Sequence, residues 1–296
     1  MSKRTWIFFF ATLLFIGLAS TCREGKSDNG DRPEAGVVLT LDSLVKRVAI
    51  RSSTMGQIFN AHVILPESYY LDTTPLFYPV VYLLHGYSGH FDDWFSRVPE
   101  LVDYATSYNY IIVTPEGLTN SWYFDSPLDS NSTFRTYISQ DVPAYIDDFF
   151  RTKPGPQSRA ITGLSMGGHG ALSIGLRHPE WFGAAGSMSG VLYLPDVVGQ
   201  FELEKHLGDP VADSLRWQGY SVLNLIDSVR TVPQLIIDCG TDDFLIQANR
   251  RVHDTLLVRN FPHTYIERPG GHAWNYWSEA VAYQLQYFAR YFGNGR

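Results

Sequence analysis

Apolar positions along the chain follow two rhythms. Residues 79–84 (PVVYLL), 110–113 and 233–238 are short continuous apolar runs, the signature of strands covered on both faces. Residues 48–51 and 57–65 read as strands around the turn-forming SSTMG at 52–56, and 159–162 and 182–187 as further short strands. Between them the spacing changes to three and four. Residues 98–108, 141–150, 166–177, 248–259 and 279–292 predict helices with one apolar face. Strands alternating with helices predict an α/β fold of three layers around a mostly parallel sheet. Residues 191–232 break the rhythm and are expected to form a small insertion beside the sheet's C-terminal edge. The main domain is then 37–296.

Ahead of that domain the pattern is different. Lys3 and Arg4 precede an apolar run from Trp6 to Ala19, an export-signal pattern shorter than the about 20 residues needed to span a bilayer. The run ends in Leu18-Ala19-Ser20-Thr21-Cys22, which resembles a bacterial lipoprotein box. Residues 1–21 are thus expected to be a signal peptide of lipoprotein type, with Cys22 the lipidated residue. Ordinary cleavage near Ala19 or Ser20, leaving Cys22 free, is the alternative. Residues 22–36 are polar and rich in Gly, Pro and mixed charge, as a flexible tether is. An exported protein at the cell envelope, touching the membrane only through its anchor, is the localisation this implies.

Composition narrows the picture. The 296 residues are 45% hydrophobic and 18% charged, globular values that exclude a disordered chain. Lys and Arg number 23 against 30 Asp and Glu, a net charge of −7 with no basic block, which argues against nucleic-acid binding. Two cysteines, Cys22 and Cys239, cannot build a disulfide framework. Aromatic residues reach 15%, which suits a site for a flat or sugar-like ligand.

The chemistry gathers at three places. Gly163-Leu164-Ser165-Met166-Gly167 fits G-x-S-x-G between an expected strand and an expected helix, the context in which that motif exposes a nucleophilic serine. A serine hydroxyl needs a base. Of nine histidines, His272 in Gly270-Gly271-His272 sits on a glycine loop before the last helix, placed to reach the sheet edge. A carboxylate must then orient the base. Asp238, Asp242 and Asp243 compete, and Asp243 is preferred because it lies three residues past Gly240 on the loop leaving the strand. The order Ser, Asp, His is that of α/β-hydrolases. Oxyanion donors are expected from the backbone N–H groups of Met166, after the nucleophile, and Tyr87, in the His85-Gly86-Tyr87-Ser88-Gly89 loop. The His85 ring is expected to brace that loop, and His169 to pack within the elbow. Trp94, Trp122, Tyr123, Trp274 and Trp277 stand near these motifs as candidate substrate contacts, with core or lid packing as the alternative. No metal or cofactor is called for.

The motifs LLHGYSG, NSWYFDSP, DVPAYID, GLSMGGHGAL, GSMSG, DCGTDDFL and GGHAWNYW, in this order, resemble the "Putative esterase" family. That family includes feruloyl and acetyl-xylan esterases of carbohydrate esterase family 1, esterase D or S-formylglutathione hydrolases, and antigen 85 mycolyltransferases. The resemblance runs from about residue 48 to the C-terminus. It implies an α/β-hydrolase fold and a serine esterase, with Ser165 the nucleophile, Asp243 the acid, His272 the base, and Tyr87 and Met166 the oxyanion donors. The export signal favours the carbohydrate-esterase branch, which removes feruloyl or acetyl groups from plant cell-wall polysaccharide or oligosaccharide. A general short-chain esterase, a formylglutathione hydrolase, an antigen 85-type acyltransferase and a non-catalytic glycan-binding lipoprotein are the rival readings.

Overall fold

The computed structural model describes residues 39–40, 43–71 and 76–294. The expected signal, Cys22 and tether lie outside the described residues. Among those described, nine strands form one sheet: β1 (Leu39–Thr40), β2 (Val45–Arg51), β3 (Ile58–Ile64), β4 (Val80–Leu84), β5 (Ile111–Pro115), β6 (Arg159–Gly163), β7 (Ala184–Met188), β8 (Gln234–Gly240) and β9 (His263–Arg268). Their order is β1-β2-β3-β5-β4-β6-β7-β8-β9. The first three strands and the β3–β5 pair are antiparallel, and every pairing from β5 to β9 is parallel. This is an α/β-hydrolase fold.

The continuous apolar runs are explained by two hydrophobic clusters, one on each face of the sheet. Val80, Tyr82 and Leu84 of β4 join one cluster, and Val81 and Leu83 join the other. Ile111 and Val113 against Ile112, and Leu235 and Ile237 against Ile236, divide in the same way. A strand with both faces covered has no polar side to show, so the period-two signal vanishes. The Val142–Phe149 and Met166–Arg177 helices pack on the first face, and the Leu101–Tyr108 and Trp274–Tyr291 helices on the second.

Residues 191–232 fold into short helical pieces at Leu194–Val197, Glu204–Leu207, Ser214–Tyr220 and Val222–Ser228. Their apolar side chains, Leu203, Leu207, Trp217 and Ile226 among them, belong to the first cluster and share its core. Two elements depart from the sequence pattern. The last helix starts at Trp274, more than a turn before residue 279, because Tyr276 and Trp277 are already buried on its inner face. Strand β9, at 263–268, has no apolar run to mark it. It is an edge strand whose six residues are all half-exposed. It is held by its parallel ladder to β8. No helix among the described residues is long and apolar enough to cross a membrane.

Candidate active site

Parallel strands deliver their C-terminal ends to one edge of the sheet, and the candidate residues gather there. Ser165 follows β6 and precedes the Met166–Arg177 helix, at φ 54° and ψ −116°. This is a left-handed, strained backbone for a residue with a side chain, of the kind that persists where surrounding packing enforces it. The flanking glycines show that enforcement. A Cβ on Gly163 would lie 2.7 Å from the Gly167 carbonyl and from Leu84 O, and one on Gly167 would lie 2.4 Å from His85 O. Any side chain at either position would push the elbow off the strand.

The three candidate side chains form a continuous chain of hydrogen bonds. Ser165 Oγ lies 2.9 Å from His272 Nε2. His272 Nδ1 lies 2.9 Å and 3.2 Å from the two Asp243 carboxylate oxygens. The carboxylate accepts the proton on Nδ1, which leaves Nε2 with its lone pair toward the serine hydroxyl. Asp243 is buried, and its Oδ1 also accepts the Leu245 N–H at 2.9 Å. Burial works to raise its pKa, but the hydrogen bond and charge of His272, with the Leu245 N–H and the Ser189 hydroxyl, outweigh it and hold the carboxyl below its ordinary value. Of the rival acids, Asp238 points elsewhere. It is fully buried, accepts the Tyr276 hydroxyl and faces Arg268 at 3.4 Å. Asp242 is exposed, and among the described residues its carboxylate hydrogen-bonds only the Gly270 N–H, at 3.4 Å.

A cleft of about 260 Å³ opens over Ser165 and is lined by the 86–89 loop, Asp93, Leu164, Phe201, His272, Trp274 and Trp277. Tyr87 lies on its wall. Met166 is the first residue of a 12-residue helix, whose leading N–H groups have no partner in the helix itself. A Cβ on Gly86 would approach Ser165 Cβ to 3.5 Å, which shows how closely the two donor loops meet. The His85 ring is buried behind them. Its Nδ1–H donates to Gly86 O at 2.8 Å, and its Nε2 accepts the Gly117 N–H at 2.9 Å. His169 is also buried and donates from Nδ1 to Val191 O at 2.9 Å, and burial pushes its pKa down to about 4. It stays neutral and packs under the elbow.

The candidate aromatic contacts divide. Trp274 and Trp277 line the cleft. Trp94, Trp122 and Tyr123 do not, and for these the expectation is corrected. All three are buried, and each directs its polar group to a backbone carbonyl: Trp94 to Leu84 O at 2.9 Å, Trp122 to Phe201 O at 3.2 Å and Tyr123 to His85 O at 3.0 Å. They hold the cleft walls from behind. Phe201, which sequence spacing did not single out, lines the cleft in their place, and Phe244, likewise unmarked, stands beside the base. Phe201 comes from the insertion and stacks edge-on to Tyr87 at 5.3 Å. Phe244, 58% exposed, sits 4.8 Å from the His272 ring. Phe244 directly follows the acid, which is the one signal that marks it.

Fold and site together define an esterase of the α/β-hydrolase class. The chain belongs to the "Putative esterase" family, whose sequence profile matches residues 52–288. It is 28% identical over 229 residues to an acetyl esterase of Caldicellulosiruptor saccharolyticus, a match that covers 71% of this chain and 83% of that one. A 31% identical stretch of 173 residues is shared with an endo-1,4-beta-xylanase/feruloyl esterase of Xylanibacter ruminicola, covering 55% of this chain but 24% of that protein. Among solved structures, a ferulic acid esterase superposes with a TM-score of 0.72 at 27% identity, over 83% of this chain and 98% of that one.

Proposed function

We propose that the protein is a serine carboxylic ester hydrolase that removes acetyl or feruloyl groups from plant cell-wall carbohydrate. The observation that carries the mechanism is the unbroken Ser165–His272–Asp243 hydrogen-bond chain at the mouth of a cleft. In the first step Ser165 Oγ attacks the ester carbonyl while His272 Nε2 takes its proton. The N–H groups of Tyr87 and Met166 hold the negative oxygen of the tetrahedral intermediate. His272 then gives the proton to the leaving alcohol oxygen, and an acyl-Ser165 remains. Water, deprotonated by His272, attacks that acyl group, and the proton returns to Ser165 as the acid leaves. Asp243 stays ionised throughout and stabilises the imidazolium that forms twice per turnover.

The acyl and alcohol groups are inferred from two supports. Relatives named acetyl esterase and endo-1,4-beta-xylanase/feruloyl esterase are similar in sequence, and a ferulic acid esterase shares the fold. The cleft walls are aromatic, with Trp274, Trp277 and Phe201 suited to a planar acyl group or a sugar face. On the sequence pattern of residues 1–36 the enzyme is exported and anchored through a lipid on Cys22. A mass spectrum of the mature protein tests this: an unmodified N-terminus at Thr21 or beyond Cys22 overturns the anchor. For the mechanism, Ser165→Ala should lower kcat by on the order of 10³-fold or more with an unchanged circular dichroism spectrum. Activity within tenfold of wild type refutes the assignment of the nucleophile.

A further inference from the structure

We infer that Tyr123 is a positioning residue for the oxyanion hole, and that its hydroxyl anchors the loop that presents the Tyr87 N–H. The inference rests on the ester-hydrolase reading with Tyr87 as an oxyanion donor. It adds a residue that touches neither the substrate nor the reacting atoms.

Tyr123 is held in an unusual backbone. Trp122 and Tyr123 are consecutive, both at φ 55° and both 1% exposed. Left-handed backbone is costly for a residue with a side chain, and two bulky aromatic residues in a row persist there only where the surroundings enforce it. The enforcement is visible at the ring. A Cβ on Gly117 would lie 2.4 Å from the Tyr123 ring, and one on Gly170 would lie 2.5 Å from it. The ring is thus clasped between the loop after β5 and the nucleophile helix. That clasp aims the hydroxyl. It donates to His85 O at 3.0 Å, and it is the one donor to that carbonyl among the described residues. Burial, with the Glu116 charge adding to it, raises the phenol well above its ordinary pKa, so the proton stays on the oxygen that donates it.

The carbonyl that Tyr123 holds begins the oxyanion loop. His85 O also packs against the elbow, where a Cβ on Gly167 would meet it at 2.4 Å. The next carbonyl, Gly86 O, accepts from His85 Nδ1 at 2.8 Å and from the Gly89 N–H at 3.1 Å. In a trans peptide the N–H points opposite to the C=O, so the direction of Gly86 O sets that of the Tyr87 N–H. Residue 86 has no side chain to restrain it, and a Cβ there would lie 2.5 Å from Leu164 Cδ1. The two peptide planes on either side of Gly86 therefore need separate anchors. The His85 ring and the Gly89 N–H hold the second plane, and the Tyr123 hydroxyl holds the first. Trp94 and Trp122 also donate to backbone carbonyls, but theirs belong to Leu84 and Phe201, outside this pair of planes.

The experiment compares Tyr123→Phe with wild type, and uses Tyr110→Phe as the control for a lost buried hydroxyl. Tyr110 is fully buried and donates to Leu285 O at 3.4 Å, away from the cleft. Hydrolysis of p-nitrophenyl acetate is counted per site titrated to completion with a fluorophosphonate, so unfolded protein does not enter kcat. Losing an oxyanion donor outright costs about 10²–10³-fold in kcat, and Tyr123→Phe, which only loosens one, should cost about tenfold with KM within about twofold of wild type. Trifluoroacetophenone forms a serine adduct whose oxyanion sits in the hole, so its Ki should rise by about tenfold as well, while that of acetophenone stays unchanged. Tyr110→Phe should lower the melting temperature and leave kcat and both Ki values as they are. A Tyr123→Phe kcat within about twofold of wild type, or a change confined to KM, overturns the proposal. So does equal weakening of the two ketones, or an equal fall in kcat for Tyr110→Phe. A wild type that neither hydrolyses the ester nor takes up the fluorophosphonate overturns the ester-hydrolase reading, and this inference with it.

Discussion

The two loops that meet over Ser165 each rest on one buried carboxylate, and the two carboxylates are treated in opposite ways. On the oxyanion side it is Glu116, 8% exposed, which accepts the N–H groups of Gly117, Leu118 and Phe91 at 3.1, 2.8 and 3.4 Å. It also lies 3.3 Å from His85 Nε2. Burial disfavours its charge, but His85 and these N–H groups outweigh burial and hold the carboxyl below its ordinary value. On the base side it is Asp238, which accepts the Tyr276 hydroxyl and faces Arg268. Arg268 is sandwiched between the Tyr276 and Tyr283 rings, 4.5 and 4.8 Å from their centroids. Here burial wins, and the Asp238 carboxyl is raised despite Tyr276 and Arg268. Tyr276 in turn lies under the loop that carries His272, where a Cβ on Gly270 would come within 2.5 Å of its ring. The oxyanion loop is thus fixed mainly by directional hydrogen bonds, and the base loop mainly by ring packing around a charge that is poorly solvated.

The largest effect separates chemistry from either support. Asp243→Asn keeps the shape of the site but reverses the hydrogen bond that fixes His272. It should lower kcat by on the order of 10⁴-fold with little change in thermal stability. Steady-state kinetics beside a melting curve check both halves.

Next come the supports themselves. Glu116→Leu leaves the Leu118 and Phe91 N–H groups facing an apolar side chain, while the Gly117 N–H keeps His85 Nε2, and should cost about 3–5 kcal/mol of stability. Tyr276→Phe removes one hydrogen bond to Asp238 but keeps the ring under Gly270, and should cost about 1–3 kcal/mol. Urea denaturation of the two variants measures the difference. Equal losses would erase the contrast between a hydrogen-bonded loop and a packed one.

A smaller effect tests the contrast by its sign with pH. Glu116 has a depressed folded pKa, so its contribution is present above the ordinary carboxylate range, about pH 4, and is lost as pH falls through the folded value. Asp238 has a raised folded pKa, so its contribution is present below that range and is lost as pH rises through the folded value. Glu116→Gln should therefore flatten the acid-side fall of the melting temperature, and Asp238→Asn should remove a decline that sets in above about pH 4. Melting curves of both variants against wild type, from about pH 3 to about pH 7, check this. Matching slopes for the two variants contradict the opposite treatment of the two carboxylates.

The difference between the loops also explains what the sequence made legible. The elbow was legible because Gly163 and Gly167 are required by backbone contact, so the motif is itself the constraint. The buried strands β4 and β8 were legible because covering both faces demands an unbroken apolar run. Strand β9 was not, because an edge strand mixes Tyr265 and Ile266 with Glu267 and Arg268, and only its ladder to β8 defines it. The aromatic walls were half legible for a related reason. Trp94 and Trp274 look alike in sequence, and which of them reaches the cleft depends on where the indole N–H finds an acceptor. Phe201 arrives from the insertion, far from any motif, so nothing local to it marks its place opposite Tyr87.

The smallest expected effect is the one that fixes the identity of the acid. Asp242 and Asp243 are adjacent, and both touch the base loop. They do so through different atoms. Asp243 reaches His272 with its carboxylate, whereas Asp242 holds the loop chiefly with its backbone, its N–H donating to Gly270 O at 2.9 Å. The Asp242 carboxylate is exposed, and its one contact there, to the Gly270 N–H, is long at 3.4 Å. Replacing it by Asn preserves both the backbone bond and an acceptor for that N–H. Asp242→Asn should therefore change stability by less than about 0.5 kcal/mol and kcat by less than about threefold. A crippled Asp242→Asn beside a nearly normal Asp243→Asn would move the acid one residue along the chain. It would also mean that the base loop swings far enough in solution to exchange one carboxylate for the other, which the ring packing of Tyr276 under Gly270 opposes.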